Sequence, residues 1–327
     1  MKNIVLGAAA ILAMTTTASA AEWTYAHYNQ PTHELHLGVA LEMAQDVEEA
    51  TDGELTIRVF PSGELGAGPA QQYTRALDGI ADVTQGLVAS DTFPLPRTML
   101  MELPNLFDTP QEAVDVLWEN IELFEPDFQG TKVMALFPNN PAALVLNRPV
   151  SSPADLEGLN IRASSAIGAG IMEAWGATPV TMPAGDLYNA LQTGVIDGAL
   201  IGIDGINAYR LQEVASHVIT NIPGNITMFY VVANRDSWDG LSEDVQAEVL
   251  EVAEHALSMK GADAFAVSGE EAIEAINASG NTEIVELTTE QRALFAEPLP
   301  AMVENYLDQV SAAEGFDAQE IYTAISQ

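Results

Sequence analysis

Arg162 is the residue whose type and position best suit chemistry. It sits in Leu159-Asn160-Ile161-Arg162-Ala163-Ser164-Ser165, late in an apolar β-type run and just ahead of a helical pattern. In open α/β sheets, ligands bind outside the carboxyl ends of strands. The first turn of a helix starting there adds free backbone N–H donors for an anion. A guanidinium on that spot presents a planar fork matched to a carboxylate. The competing reading is a surface arginine paired with one of the chain's 47 acids. A second group is His27, His33 and His36. The last two are one helical turn apart, a spacing that places two imidazoles on one metal ion. It matches no specific zinc pattern, so a structural role for the three histidines competes with a metal-capturing receptor. Gly66-Ala67-Gly68 and Gly168-Ala169-Gly170 lack the spacing of phosphate loops, and no nucleophile elbow, HExxH or SxxK occurs. Catalysis has no motif to support it.

The elements that must position these residues alternate. Glu54 to Phe60, Lys132 to Phe137, Ala142 to Leu146, Leu159 to Ala163, Thr178 to Met182, Val195 to Leu200 and Met228 to Ala233 read as strands. Leu35 to Ala50, Gln71 to Leu77, Ala166 to Trp175 and Asp186 to Thr193 read as helices between them. Ser242 caps a long helix with Glu243 and Asp244 in its first turn, and Gly261 and Gly269 are expected to bend it. A C-terminal helical region is broken at Pro298 and Pro300. This alternation predicts α/β sheets. No linker composition occurs, so two domains require a chain that crosses between them more than once. The Pro138-Asn139-Asn140-Pro141 break and the strand from Met228 are the expected crossings. Most aromatics read as core, including Trp175, Tyr188 and Tyr209; Phe93, beside Pro94 and Pro96, suits a cleft wall.

The 327 residues include 11 Lys plus Arg, 47 Asp plus Glu and no Cys, and 48% are hydrophobic. Such a chain has material for about two cored domains. The formal charge of −36 argues against nucleic acid and against an anionic membrane face. The absence of Cys removes disulfides, thiolate chemistry and cysteine metal sites. Met1-Lys2-Asn3, the apolar run Ile4 to Met14 and Ala18-Ser19-Ala20 form a leader with a cleavage site after Ala20. Residues 1–20 hold Lys2 and no acid, so their removal takes the charge from −36 to −37. The mature chain is expected in the periplasm, with no direct membrane insertion.

Three runs together carry a resemblance: Gly158-Leu159-Asn160-Ile161-Arg162; Gly176-Ala177-Thr178-Pro179-Val180-Thr181-Met182-Pro183; and Leu187-Tyr188-Asn189-Ala190-Leu191-Gln192-Thr193-Gly194-Val195-Ile196-Asp197-Gly198. Phe60-Pro61-Ser62-Gly63-Glu64-Leu65-Gly66, Asp78-Gly79-Ile80-Ala81-Asp82-Val83, Glu102-Leu103-Pro104 and Val232-Ala233-Asn234-Arg235 extend it over nearly the whole mature chain. The sequence resembles the DctP-type extracytoplasmic solute-binding subunits of tripartite ATP-independent periplasmic (TRAP) transporters. The resemblance implies a two-lobed, periplasmic-binding-protein-like α/β fold with hinge strands and a long connecting helix. Lobe I would hold residues 21–140 and 229–268, and lobe II residues 141–228 and 269–327. It implies a small organic acid as ligand, the small and large membrane subunits as partners, and no enzymatic activity. No cofactor is expected, although a metal ion bridges the ligand in some relatives. Arg162 falls on the family's carboxylate-binding arginine. Asn140, Asp204, Ile201 and Ala184 fall at other pocket positions, with Gln72, Tyr73, His27 and Phe93 facing from the first lobe. Ile201 replaces the Asn of sialic-acid-binding relatives and points away from that sugar, while Pro69-Ala70-Gln71-Gln72-Tyr73 and Phe93-Pro94-Leu95-Pro96-Arg97 resemble a subgroup for which monocarboxylates, aromatic or keto acids among them, are expected. A receptor of an ATP-driven transporter would share this fold.

Overall fold

The computed structural model describes residues 20–66, 68–89 and 93–326, so the predicted leader lies outside the described residues except for Ala20. Eleven strands form two sheets among the described residues. The first contains β1 (Ala21–Ala26), β2 (Leu55–Phe60), β3 (Val83–Leu87), β4 (Thr131–Pro138) and β10 (Met228–Asn234), in the order β2-β1-β3-β10-β4. The second contains β5 (Ala142–Leu146), β6 (Asn160–Ala163), β7 (Thr178–Thr181), β8 (Gly198–Gly202), β9 (His217–Ile219) and β11 (Glu283–Val285), in the order β11-β9-β5-β8-β6-β7. Each sheet is the centre of one lobe. The chain leaves the first sheet after Pro138, enters the second at Ala142, and returns to the first at Met228.

The two crossing segments run side by side. Asn139 N–H donates to Thr227 O at 3.0 Å, and Ala142 N–H donates to Asn225 O at 2.9 Å. β5 and β10 are apolar at nearly every position and fully buried, as central strands covered on both faces must be. One apolar cluster continues through the crossing, from Tyr73, Leu136 and Tyr230 on one side to Leu144, Ile161 and Trp175 on the other.

The helix Glu254–Ser279 packs on both lobes, touching β4 and helix Pro110–Glu119 at one end and helix Ile203–Ala208 and β11 at the other. The sequence predicts one helix from Ser242, bent at two glycines. The break falls earlier: helix Glu243–Val252 ends at Ala253, and Glu254 takes a φ of 54° before the long helix starts. Gly261 and Gly269 lie within the unbroken helix and serve close approach instead. A Cβ on Gly261 would stand 2.6 Å from the Phe137 ring, and one on Gly269 2.7 Å from the Asn140 amide nitrogen. Gly261→Ala is therefore expected to lower the urea midpoint. Overpacking costs about 1–3 kcal/mol, against a helix-propensity gain of about 1 kcal/mol. An unchanged or raised midpoint would mean that Phe137 yields freely.

Two other boundaries differ from the sequence reading. The predicted helix from Leu35 begins as a wide turn, His36–Ala40, before regular helix at Leu41. The strand expected from Val195 starts at Gly198. Gly194 ends the preceding helix at φ 71°, and Val195 N–H still reaches back to Ala190 O at 2.9 Å.

Candidate ligand cleft

Arg162 is the third residue of β6, paired with Val180 of β7 and Ala199 of β8. Its neighbours Ile161 and Ala163 point into the larger core, so the two-residue alternation sends Arg162 to the opposite face. β6, β7 and β8 run parallel, and their carboxyl ends meet there. Ser165 then caps helix Ala166–Ala174, its hydroxyl accepting from Gly168 N–H at 3.2 Å. Arg162 is only 6% exposed. Its Nε donates to Met182 O at 3.2 Å. No other hydrogen bond or ion pair to it exists among the described residues. Burial lowers its pKa to about 10, which leaves it charged at neutral pH.

Tyr209, just past helix Ile203–Ala208, lies within electrostatic reach of Arg162, Asp204 and Glu34. Tyr28, just past β1 in the other lobe, lies within electrostatic reach of Tyr209; burial raises the pKa of both hydroxyls, which stay protonated. Glu34 reaches from the same lobe as Tyr28. Burial, with a smaller contribution from Asp204 and Glu271, raises its carboxyl to about 7. Its neighbour His33, at 3.3 Å, gives no ion pair. Burial holds that imidazole near a pKa of 4, and its Nδ1 already accepts from Leu35 N–H. Ile201 stands two residues beyond Ala199 on the Arg162 face of β8, partly buried over Gly205. Ala184 opens a short turn after β7, half-buried beside the Met182 that accepts from Arg162.

The other expected positions have different surroundings. Asn140 and Asp204 are 8% and 5% exposed and bonded to each other, Asn140 Nδ2 donating to Asp204 Oδ1 at 3.1 Å. Tyr73 is 1% exposed, with its hydroxyl on Thr131 Oγ1 at 2.9 Å and its ring stacked 4.3 Å from Phe93. That places both aromatics in the packing of the first lobe, with Phe93 its partly buried member. Gln72 is buried and donates to Gly68 O at 3.0 Å. His27 is fully buried at the end of β1, its Nε2 3.0 Å from His36 Nδ1.

This pairing bears on the metal reading. His27 and His36 direct ring nitrogens at each other, and among the described residues no group of three or more ligating side chains is arranged to hold an ion. Burial, then repulsion from His36 and His33, lowers the His27 pKa to about 4. His27 and His33 thus stay neutral in the fold down to about pH 4, while the unfolded chain takes up their protons near 6.5. Their contribution is complete above pH 6.5 and is lost as the pH falls towards 4, by about 1.4 kcal/mol per unit for each ring. His27→Asn is expected to flatten the urea stability profile across that range. A profile with unchanged slope would show that His27 does not titrate this way.

Residues 25–309 match the family model described as DctP: Bacterial extracellular solute-binding protein, family 7. The chain belongs to this family. It is 27% identical to the ectoine-binding periplasmic protein TeaA of Halomonas elongata, over 92% of this chain and 89% of the relative. It is 26% identical to the C4-dicarboxylate-binding periplasmic protein DctP of Rhodobacter capsulatus, over 84% and 83% of the two chains. A TRAP periplasmic solute-binding protein of Desulfovibrio salexigens with bound orotic acid superposes with a TM-score of 0.77 at 26% identity, covering 93% of this chain and 99% of that one. The two-lobed fold and the TRAP resemblance are thereby shown, which displaces the ATP-driven alternative. DctP-family proteins are extracytoplasmic receptors for small organic acids. No helix among the described residues is long and apolar enough to cross a membrane.

The sequence reading did not single out Glu34, and it placed Tyr209 in the core. Nothing local marks Glu34 among so many acids. Tyr209 comes near Arg162 through strand order, which a linear pattern does not reveal.

Proposed function

We propose that this protein is the periplasmic solute receptor of a TRAP transporter and that it captures a small organic acid through a carboxylate held by Arg162. The observation that carries the proposal is the state of that side chain. In a chain with 47 acids and 11 Lys plus Arg, a 6%-exposed arginine at the carboxyl ends of three parallel strands has no acidic partner among the described residues. A buried cation without a counter-charge is costly. A ligand carboxylate fills the gap by two charge-assisted bonds. Closure then excludes water and strengthens the pair. The organic acids named for TeaA, DctP and the orotate-bound receptor fit this chemistry.

In this reading lobe I comprises residues 21–140 and 229–268, and lobe II residues 141–228 and 269–327. The leader is cleaved after Ala20, the ligand is handed to the small and large membrane subunits, and the protein performs no catalysis. Ile201 and Ala184 line the Arg162 side, Tyr209 and Tyr28 approach from the two lobes, and Phe93, Tyr73, Gln72 and His27 shape the first-lobe wall from behind. The test is a thermal-shift panel of organic acids, each paired with its uncharged amide. A cognate acid at a hundred times its Kd stabilises by about 2.7 kcal/mol, and its amide does not. Equal shifts from acid and amide would refute carboxylate recognition.

A further inference from the structure

Two asparagines at the crossing from β4 to β5 are seated on two glycines. Asn140 lies against Gly269 of the long helix, where a Cβ would come 2.7 Å from its amide nitrogen, and that nitrogen donates to Phe265 O one turn earlier. The same amide donates to Asp204 Oδ1 at 3.1 Å. Asn139 lies against Gly202 at the end of β8. A Cβ there would meet the Asn139 amide nitrogen at 2.2 Å and Asp204 Oδ1 at 2.7 Å. Asn139 Oδ1 accepts from Thr227 N–H at 2.8 Å on the returning segment. Asp204 is 5% exposed, with no cation paired to it among the described residues. Both asparagine amides face its carboxylate and favour its ionised form, against the burial that raises its pKa to about 6. Both amide hydrogens of Asn140 have protein acceptors, so Asn140 has no amide donor left for a ligand.

We propose that Asp204 is the common acceptor of a hinge latch, in which Asn139 and Asn140 tie both crossing segments, the long helix and the end of β8 into one unit that fixes the resting angle between the lobes. Through the two asparagines, four segments are linked to this carboxylate. The first of them leads into β5, which pairs with β8, and β8 in turn flanks the β6 that carries Arg162. Asp204 is then a positioning residue, acting on the ligand through the hinge. The latch does not depend on what the cleft binds; only its effect on affinity rests on the carboxylate reading.

The chain has no Cys, so a dye pair can be introduced at the exposed Glu48 and Glu157, one in each lobe. Single-molecule energy transfer between E48C and E157C then reports the interlobe distance with no ligand present. Asp204→Asn keeps the shape and removes the acceptor's charge; Gly202→Ala pushes Asn139 and Asp204 apart with every polar group retained. Each is expected to shift or broaden the ligand-free distance distribution. Should Asp204→Asn fail to fold, Gly202→Ala still tests the geometry. A wild-type distribution in the folded variants overturns the latch. If affinity for an acid from the panel then falls while the distribution stays fixed, Asp204 is a ligand contact instead. Loss of acid binding by Arg162→Ala is scored separately, so either proposal can fail alone.

Discussion

Arg162→Ala is expected to weaken binding of the cognate acid at least about a hundredfold in titration calorimetry, a loss of about 2.7 kcal/mol. Two charge-assisted hydrogen bonds account for a change of that size, since each contributes about 1.5–3 kcal/mol when desolvated. The site strengthens the case beyond a surface ion pair, which is worth about 1 kcal/mol or less. Arg162 is nearly buried, is oriented by Met182 O, and has no carboxylate of its own to release. Arg162→Lys restores the charge but not the fork, so its affinity should fall between the two. The variant removes an unpaired buried cation, so thermal stability without ligand should hold or rise. A folded Arg162→Ala protein binding within threefold of wild type would remove the central claim.

Trp175→Ala is expected to cost about 3–5 kcal/mol of unfolding free energy, measured by urea titration. The indole is 1% exposed, meets the Phe295 ring edge-on at 5.2 Å, and donates Nε1–H to Phe295 O at 2.7 Å. It thus pins helix Ala166–Ala174, which follows the Arg162 strand, to the C-terminal helices. Truncation leaves a cavity and an unsatisfied buried carbonyl together. Trp175→Phe keeps much of the volume and loses the bond, so it should cost less than half as much. A loss under about 1.5 kcal/mol for the alanine variant would mean that the helices close over the gap. Because the contact lies behind the strand, ligand affinity should drop along with stability.

The strands were legible where their side chains agree with burial. Met228 to Asn234 and Ala142 to Leu146 are apolar throughout because both faces are covered, and nothing competes with that reading. Arg162 was legible because a polar residue late in such a run, followed by Ser165 as a cap, marks a strand end facing a helix start. Other features depend on distant partners. The break before Glu254 has no Gly or Pro to announce it, and the residue there accepts a φ of 54°. Gly261 and Gly269 read as bends because flexibility is a local property, whereas the ring and amide that need their space come from β4 and from the β4–β5 crossing. The spacing of His33 and His36 suggested a shared ion, but His27 claims His36 from a neighbouring strand end. Asn140 and Asp204 were placed in the pocket by analogy, and no local pattern reveals that they are bonded to each other in this chain.

The order of β10 between β3 and β4 has a consequence for biogenesis. A nascent chain that has emerged as far as Pro138 can pair β2, β1 and β3, but β4 stays apart from them because the slot beside β3 waits for Met228 to Asn234. The first sheet is therefore completed only after the segment that builds β5 to β9 of the second sheet has been made.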